Sequence, residues 1–329
     1  MTANLVLIGC GAISQGFYLP ALAKLRGMFG RVWLVDPSDR ALLIAGAMVE
    51  GKQAHFLGEV DDDINLAIIA TPNSTHFPLA CEAISRGADV LIEKPFVIWP
   101  ENGRRLLQVA SQNGRVLSIN QTRRFFPLAT ELRRQVSEGA FGPLKSITHR
   151  EGTKLAWPFE SGAGFAAGAQ RTGAIMDFGV HVVDFYHYIL QPEWSFVSAT
   201  HDGFNGPEGL ADIELLANGA PVSIRLSRYQ DQENVARLSF EAAEVSFNVY
   251  EPATYTIRKH PSKIFRVVCK ANEGNLNSSI AERVLLNFLA VGNRREQPVC
   301  DAADSMPVIE LLDKVYQDAG RYPVQIGAV

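Results

Sequence analysis

Asn4-Leu5-Val6-Leu7-Ile8-Gly9-Cys10-Gly11-Ala12-Ile13-Ser14-Gln15-Gly16 decides how the rest of the chain is read. Leu5 to Ile8 is a run of four apolar residues, too short for a helix and apolar on both faces, which predicts a buried parallel strand. Gly9 and Gly11 follow at once. From Ala12 to Leu25 a helical pattern takes over, with Ile13, Phe17, Ala21 and Leu25 on one face. Strand, glycine turn and helix together point backbone N–H groups and the positive end of a helix dipole at one place. A pyrophosphate fits that place, and Gly9 and Gly11 let the backbone approach it because they carry no side chain.

The residues that come next extend this unit. Arg31 to Val35 reads as a second strand with Asp36 at its carboxyl end. In a dinucleotide fold that carboxylate accepts hydrogen bonds from the adenosine ribose hydroxyls and repels a 2′-phosphate, so NAD is the expected cofactor and NADP is disfavoured. Taken alone, Asp36 is a turn residue before Pro37. The order strand, Gly9, Gly11, helix, strand, acid is what favours the dinucleotide reading. Ser14 stands where the G-x-G-x-x-G/A pattern asks for a smaller residue.

Further along, Arg40 to Glu50 reads as a helix, Gln53 to Leu57 as a weak segment, and Asp61-Asp62-Asp63 as a solvated turn. Leu66 to Ala70 is another buried strand. It runs into the loop Thr71-Pro72-Asn73-Ser74-Thr75-His76, at the strand end where open α/β sheets bind ligands. A helix from Phe77 to Arg86, a strand from Asp89 to Ile92, the tripeptide Glu93-Lys94-Pro95, a helix from Glu101 to Gln112 and a strand from Val116 to Ile119 complete the alternation. The predicted fold is α/β: a doubly wound Rossmann sheet over 1–122, then an α+β domain over 123–329 with an open, largely antiparallel sheet. Helices are expected over Phe125 to Glu138, Thr172 to Leu190, Ser279 to Val291 and Ala302 to Ala319, the last packing back toward the first domain. Between Trp194 and Val268 five to seven strands with no intervening helix predict antiparallel pairing, and a sheet short of helices predicts an exposed apolar face and a homodimer or homotetramer.

Composition narrows the class. The 329 residues are 47% hydrophobic and 20% charged, an ordinary globular balance, and the net charge of -4 offers no basic field for nucleic acid or an anionic membrane. No apolar run reaches membrane-spanning length, and the amino terminus enters a strand directly, so a cytoplasmic protein without a signal peptide is expected. Cys10, Cys81, Cys269 and Cys300 are scattered, as free thiols would be. His55, His149, His201 and His260 have no acid at ligand spacing, and no metal is expected.

Gly9 to Ser14, Thr71-Pro72-Asn73 with His76, Glu93-Lys94-Pro95, Arg124-Phe125-Phe126-Pro127 and the stretch from Gly173 to Asp184 together resemble the Gfo/Idh/MocA oxidoreductases, over essentially the whole chain. That resemblance implies a nicotinamide cofactor and a sugar, cyclic polyol or nucleotide-linked sugar as substrate, with Lys94, Asp177 and His181 catalytic. It implies cofactor contacts from Gly9, Gly11, Ala12, Ile13 and Asp36, from Thr71, Pro72, Asn73 and His76, and from Glu93 and Lys94. Substrate contacts are implied for Lys94, Arg124, Trp157, Asp177 and His181. Arg171-Thr172-Gly173 departs from the glycine pair that members often carry before the D-x-x-x-H helix.

The same residues carry chemistry of their own. Asp177 and His181, four apart on a helix, share a face, and a histidine near a hydroxyl titrates in the useful range for proton transfer. A capped or core histidine is the plainer alternative. Lys94 lies between a buried strand and a proline, a place where few surface lysines lie, and can be either the cation beside the alkoxide or the base itself. Two rival functions stay open at this point: a silent NAD(H)-binding sensor, and a redox-neutral enzyme with tightly held cofactor.

Overall fold

A computed structural model describes residues 2–154, 171–203, 206–259, 263–269 and 279–322. The described chain divides into two compact units. The first takes the residues up to Phe125 together with 279–309, and the second takes the remainder.

In the first unit β1 (Leu5–Ile8), β2 (Val32–Val35), β3 (Lys52–Ala54), β4 (Leu66–Ile69), β5 (Asp89–Glu93) and β6 (Leu117–Asn120) form one sheet in the order β3-β2-β1-β4-β5-β6. Every pairing in it is parallel. The strands β1, β2 and β4 are buried at every position, which accounts for their unbroken apolar runs. This is the doubly wound order with its switch point between β1 and β4, where ligands bind at the carboxyl ends. Helices α1 (Leu19–Leu25), α2 (Asp39–Met48), α3 (Asn73–Ser85) and α4 (Pro100–Gln112) connect the strands. Asn73 to His76, read as loop, form the first turn of α3 instead, with Pro72 as its cap residue.

Asp62 is more than a solvated turn. It accepts from Trp33 Nε1 at 2.8 Å and pairs with Arg31 and Lys52, so it pins the loop before β4 to β2 and β3.

The second unit holds α5 (Pro127–Ser137), β7 (Leu144–Gly152), α6 (Val180–Leu190), then β8 (Trp194–His201), β9 (Leu210–Ala217), β10 (Ala220–Ser227), β11 (Val235–Phe240), β12 (Ala243–Asn248), β13 (Thr254–Lys259) and β14 (Lys263–Val268). Helix α7 (Ile280–Gly292) lies wholly in the first unit, and α8 (Ala302–Asp318) divides at Ile309. The short β15 (Gly320–Arg321) completes a nine-stranded sheet ordered β14-β13-β12-β11-β7-β10-β9-β8-β15. Consecutive strands from β8 to β14 pair antiparallel, with one exception. β7, formed earlier in the chain, occupies the centre between β10 and β11, parallel to the first and antiparallel to the second.

Two expectations are corrected here. The segment 279–309 does not follow the 122/123 boundary: Ala281, Val284, Leu285 and Phe288 of α7 join the core of Leu19 and Leu22 from α1 and the β1 residues Leu5 and Leu7. The open face of the second sheet is polar over its central strands and carries exposed apolar residues, Ile264 and Val268, at the edge strand β14. Ile147, Ile224, Leu226 and Phe247 are buried on the side that α6 packs against, where the Phe185 and Phe247 rings lie 5.3 Å apart. The alternate positions carry Thr148, Asp212, Glu214, Ser223, Arg225 and Ser246, all half-buried, with Ser223 Oγ bonded to Glu214 at 2.7 Å. Period-two alternation places polar groups at the centre of that face, so its exposed apolar surface is confined to the β14 edge.

Among the described residues no helix is long and apolar enough to cross a membrane, and no group of histidine, cysteine or acidic side chains could hold a metal ion. His55 and His149 do have acidic partners: Asp39, 16 residues before His55, at 2.8 Å, and Glu151, two residues after His149 on the same face of β7, at 3.0 Å.

Candidate functional site

The glycine turn is built from both sides of the switch point. Gly9 sits at φ +93°, and a Cβ there would lie 2.4 Å from the Ala70 carbonyl oxygen and 2.8 Å from Thr71 Cγ2, so only glycine lets the ends of β1 and β4 meet. A Cβ on Gly11 would meet no described atom within 4 Å. No contact among the described residues demands the second glycine, and the space it leaves suits a phosphate. The first helical bond after the turn runs from Gln15 N–H to the Gly11 carbonyl at 2.9 Å, so the amides of Ala12 and Ile13 belong to the orphan first turn.

Ser14 departs from the glycine pattern and compensates with its hydroxyl, which donates to the Gly9 carbonyl at 2.5 Å from a fully buried position. Between it and α1 the helix opens into a π turn, Ser14–Tyr18, immediately before Pro20, which has no N–H to continue an α-helical ladder. Asp36 reaches back to the same turn: one carboxylate oxygen accepts from Cys10 N–H at 2.8 Å and the other from Ser38 N–H at 2.9 Å. Burial, and then the Asp36 charge, push the Cys10 thiol up to about 12, which keeps it protonated and inert.

At the carboxyl end of β5, Lys94 is half-buried and the Lys94–Pro95 peptide is cis. Glu93 is buried. Its carboxyl accepts from Tyr18 Oη at 2.7 Å, from Asn120 Nδ2 at 2.6 Å and from Lys94 N–H at 3.2 Å. Burial pushes that carboxyl up, against the pull of the Tyr18 and Asn120 hydrogen bonds. Glu93 therefore holds the loop that presents Lys94.

His76 is fully buried, with Nδ1 2.9 Å from the Pro95 carbonyl and Nε2 2.9 Å from the Thr71 carbonyl, so its ring lies between the two loops. Thr71 and Asn73 are half-buried and Pro72 is exposed. Arg124 has a fully buried side chain that is ion-paired with Asp304 inside the first unit. Trp157 lies outside the described residues.

In the second unit the helix that carries Asp177 and His181 again begins with a π turn, Ile175–Gly179, before α6. Both side chains are half-buried and stand about one turn apart. Arg228 donates to Asp177 Oδ2 at 2.5 Å and to the Thr172 carbonyl at 3.0 Å. Glu208, nearly fully buried, closes the amino-terminal end of this helix: its backbone carbonyl accepts from Ala174 N–H and its Oε1 accepts from Ile175 N–H at 2.9 Å and from Tyr316 Oη at 2.7 Å. Burial pushes the Glu208 carboxyl up. Beneath α6, Tyr186 Oη lies 2.8 Å from His149 Nδ1, His149 Nε2 lies 3.0 Å from Glu151, and Tyr250 Oη donates to the other Glu151 oxygen at 3.1 Å. Since the carboxylate only accepts, the imidazole donates through Nε2 and accepts the Tyr186 hydroxyl at Nδ1.

Arg228, Glu208, Tyr316 and the His149 relay were not found in sequence. Their partners are far off in the chain, as with the 108 residues that separate Tyr316 from Glu208.

Comparison with known proteins adds relatives to this geometry. Residues 3–121 match the oxidoreductase family with an NAD-binding Rossmann fold named GFO_IDH_MocA. An uncharacterized oxidoreductase of Escherichia coli, YdgJ, is 34% identical over 139 residues, covering 41% of this chain and 39% of that protein. Inositol 2-dehydrogenase 4 of Saccharopolyspora erythraea is 31% identical over 232 residues, 67% of this chain and 65% of its own length. These matches therefore span less than two thirds of either relative. Among solved structures, the 3-ketoreductase KijD10 of Actinomadura kijaniata superposes with a TM-score of 0.82 at 18% identity, over 98% of this chain and 100% of that one, a likeness of fold. More distant relatives include dehydrogenases named for NAD+ and for NADP+.

Proposed function

The chain belongs to the Gfo/Idh/MocA oxidoreductases, and on that footing we propose that it transfers a hydride between NAD(H) and a secondary hydroxyl of a sugar, a cyclic polyol or a nucleotide-linked sugar. The observation that carries the reading is the glycine turn at the switch point, closed by Gly9 against Ala70 and left open at Gly11. Gly9, Gly11, Ala12 and Ile13 would hold the pyrophosphate, Asp36 the adenosine ribose, and Thr71, Pro72 and Asn73 the far side of the dinucleotide. The nicotinamide, when bound, supplies the hydride acceptor or donor.

The rest is work for side chains. An alcohol losing hydride must also lose its hydroxyl proton, and a base within reach lowers that barrier. We assign His181 as that base. Asp177, turned by Arg228, accepts a hydrogen bond from the substrate and orients it. Lys94 is assigned as the cation that stabilises the developing alkoxide. The preference for NAD(H) over NADP(H) rests on the Asp36 carboxylate. A homodimer or homotetramer is retained from the family resemblance alone, and light scattering at working concentration tests it.

The reading is tested by following NADH formation from NAD+ across free sugars, inositols, sugar phosphates and nucleotide sugars. Turnover with one of these classes is expected. Purified protein that binds NADH yet turns over none of them, in either direction, overturns the oxidoreductase assignment.

A further inference from the structure

The His76 side chain lies between the carboxyl-end loops of β4 and β5. Both ring nitrogens lie 2.9 Å from backbone carbonyls, Nε2 from Thr71 and Nδ1 from Pro95. A carbonyl only accepts, and a neutral imidazole carries one N–H, so a neutral ring can donate to one of the two and not both. Burial, with a smaller contribution from the Lys94 charge, pushes this histidine below its usual value near 6.5, so the ring holds a single proton at neutral pH.

The two carbonyls are not equivalent. The contact to Pro95 is buried, while the contact to Thr71 is partly open to solvent. An unpaired carbonyl is most costly where water cannot reach it, so the proton belongs on the Pro95 side. Pro95 follows Lys94 directly, and a donor on its carbonyl fixes the backbone from which the lysine projects.

We propose that His76 is a positioning residue of the dinucleotide site, which uses its Nδ1 proton to hold the Pro95 carbonyl and thereby the Lys94 loop, and leaves the Thr71 carbonyl to water or to ligand. This rests on the dinucleotide reading above. Asparagine and glutamine separate the two contacts, because the asparagine amide nitrogen falls where Nδ1 lies and the glutamine nitrogen where Nε2 lies.

The experiment measures NADH affinity by fluorescence titration for wild type, His76→Ala, His76→Asn and His76→Gln, together with the ring tautomer of His76 by ¹⁵N NMR of the unliganded wild-type protein. His76→Asn identifies the resonance by its loss. Expected are an Nδ1–H tautomer, a dissociation constant raised about tenfold in His76→Ala and His76→Gln, and one within about threefold of wild type in His76→Asn. An Nε2–H tautomer, rescue by glutamine in place of asparagine, or wild-type affinity in His76→Ala overturns the proposal. Wild-type protein that binds neither NADH nor NADPH brings down the underlying dinucleotide reading and this role with it. The variants play no part in that result, so the two failures are distinct.

Discussion

Arg228 Nη2 lies 2.5 Å from Asp177 Oδ2, and Nη1 of the same guanidinium lies 3.0 Å from the Thr172 carbonyl. One side chain thus holds both the turn that leads into the D-x-x-x-H helix and the acid that the helix presents. Asp177 is thereby suited to orienting a substrate, with one of its oxygens committed to the guanidinium. The bond is charge-assisted, and its loss weakens the hold on Asp177.

Arg228→Ala is therefore expected to lower turnover on the true substrate by about tenfold or more, since hydrogen bonds to charged groups contribute about 1.5–3 kcal/mol. NADH affinity should stay within about twofold, because Arg228 belongs to the second unit and the glycine turn to the first. Steady-state kinetics paired with NADH titration checks this. Unchanged turnover in Arg228→Ala removes Arg228 from the account.

Gly173 should tolerate no side chain. A Cβ there would lie 2.2 Å from the carboxyl carbon of Glu208, whose Oε1 is bonded to Ile175 N–H and Tyr316 and so has no free direction in which to retreat. Gly173→Ala is expected to destabilise the protein by about 1–3 kcal/mol, the range for overpacking a filled site. Urea unfolding gives the number, and a midpoint equal to wild type would show that Glu208 moves freely.

Glu208 also predicts a pH dependence. Its folded carboxyl is raised above the ordinary 4.5 by burial. A raised value means that the protonated form favours the fold: that stability is fully present below about 4.5 and is lost as pH rises through the folded value. Glu208→Gln keeps an oxygen for Ile175 N–H and Tyr316 and never ionises. The stability of this variant relative to wild type should therefore rise between pH 4.5 and 7, by about 1.4 kcal/mol for each pKa unit of displacement. Urea denaturation at the two pH values measures it, and a difference that is flat or falls with pH contradicts the burial argument.

Cofactor choice turns on Asp36. Its carboxylate already accepts Cys10 N–H at 2.8 Å and Ser38 N–H at 2.9 Å, which holds it at the end of β2 beside the glycine turn. A 2′-phosphate there meets a fixed anion. Wild type is expected to show at least about tenfold higher kcat/KM with NAD+ than with NADP+, the equivalent of about 1.4 kcal/mol. Comparable efficiency with the two would show that another residue, with Arg40 the nearest candidate in sequence, overrides the carboxylate.

What could be read from the chain beforehand follows the range of each interaction. Leu5 to Gly11, Asp36 and Glu93-Lys94-Pro95 carry local signals: an apolar run, a turn, an acid at a strand end. The doubly wound sheet followed from them. Ser14 looked like a flaw in the glycine pattern because its bond to the Gly9 carbonyl is a tertiary detail of the π turn. The family resemblance alone assigns Arg124 to the substrate; its ion pair with Asp304, 180 residues on, has no local signal. The return of α7 to the first unit and the central placement of β7 escaped notice for the same reason. Neither helix periodicity nor strand alternation says which other element will cover a face. The polar centre of the second sheet's open face was visible in the alternation of β9, where Asp212 and Glu214 fall between Ala211, Ile213 and Leu215.

The central claim is that His181 removes the hydroxyl proton as hydride leaves the substrate. Its most direct measurement is the turnover number of His181→Ala against wild type on the alcohol found in the screen, with NADH affinity determined on the same samples. The account predicts a fall of about 10²–10⁴-fold in turnover with NADH affinity essentially unchanged. Turnover within a few-fold of wild type would contradict it and place the base elsewhere, with Lys94 as the first residue to examine.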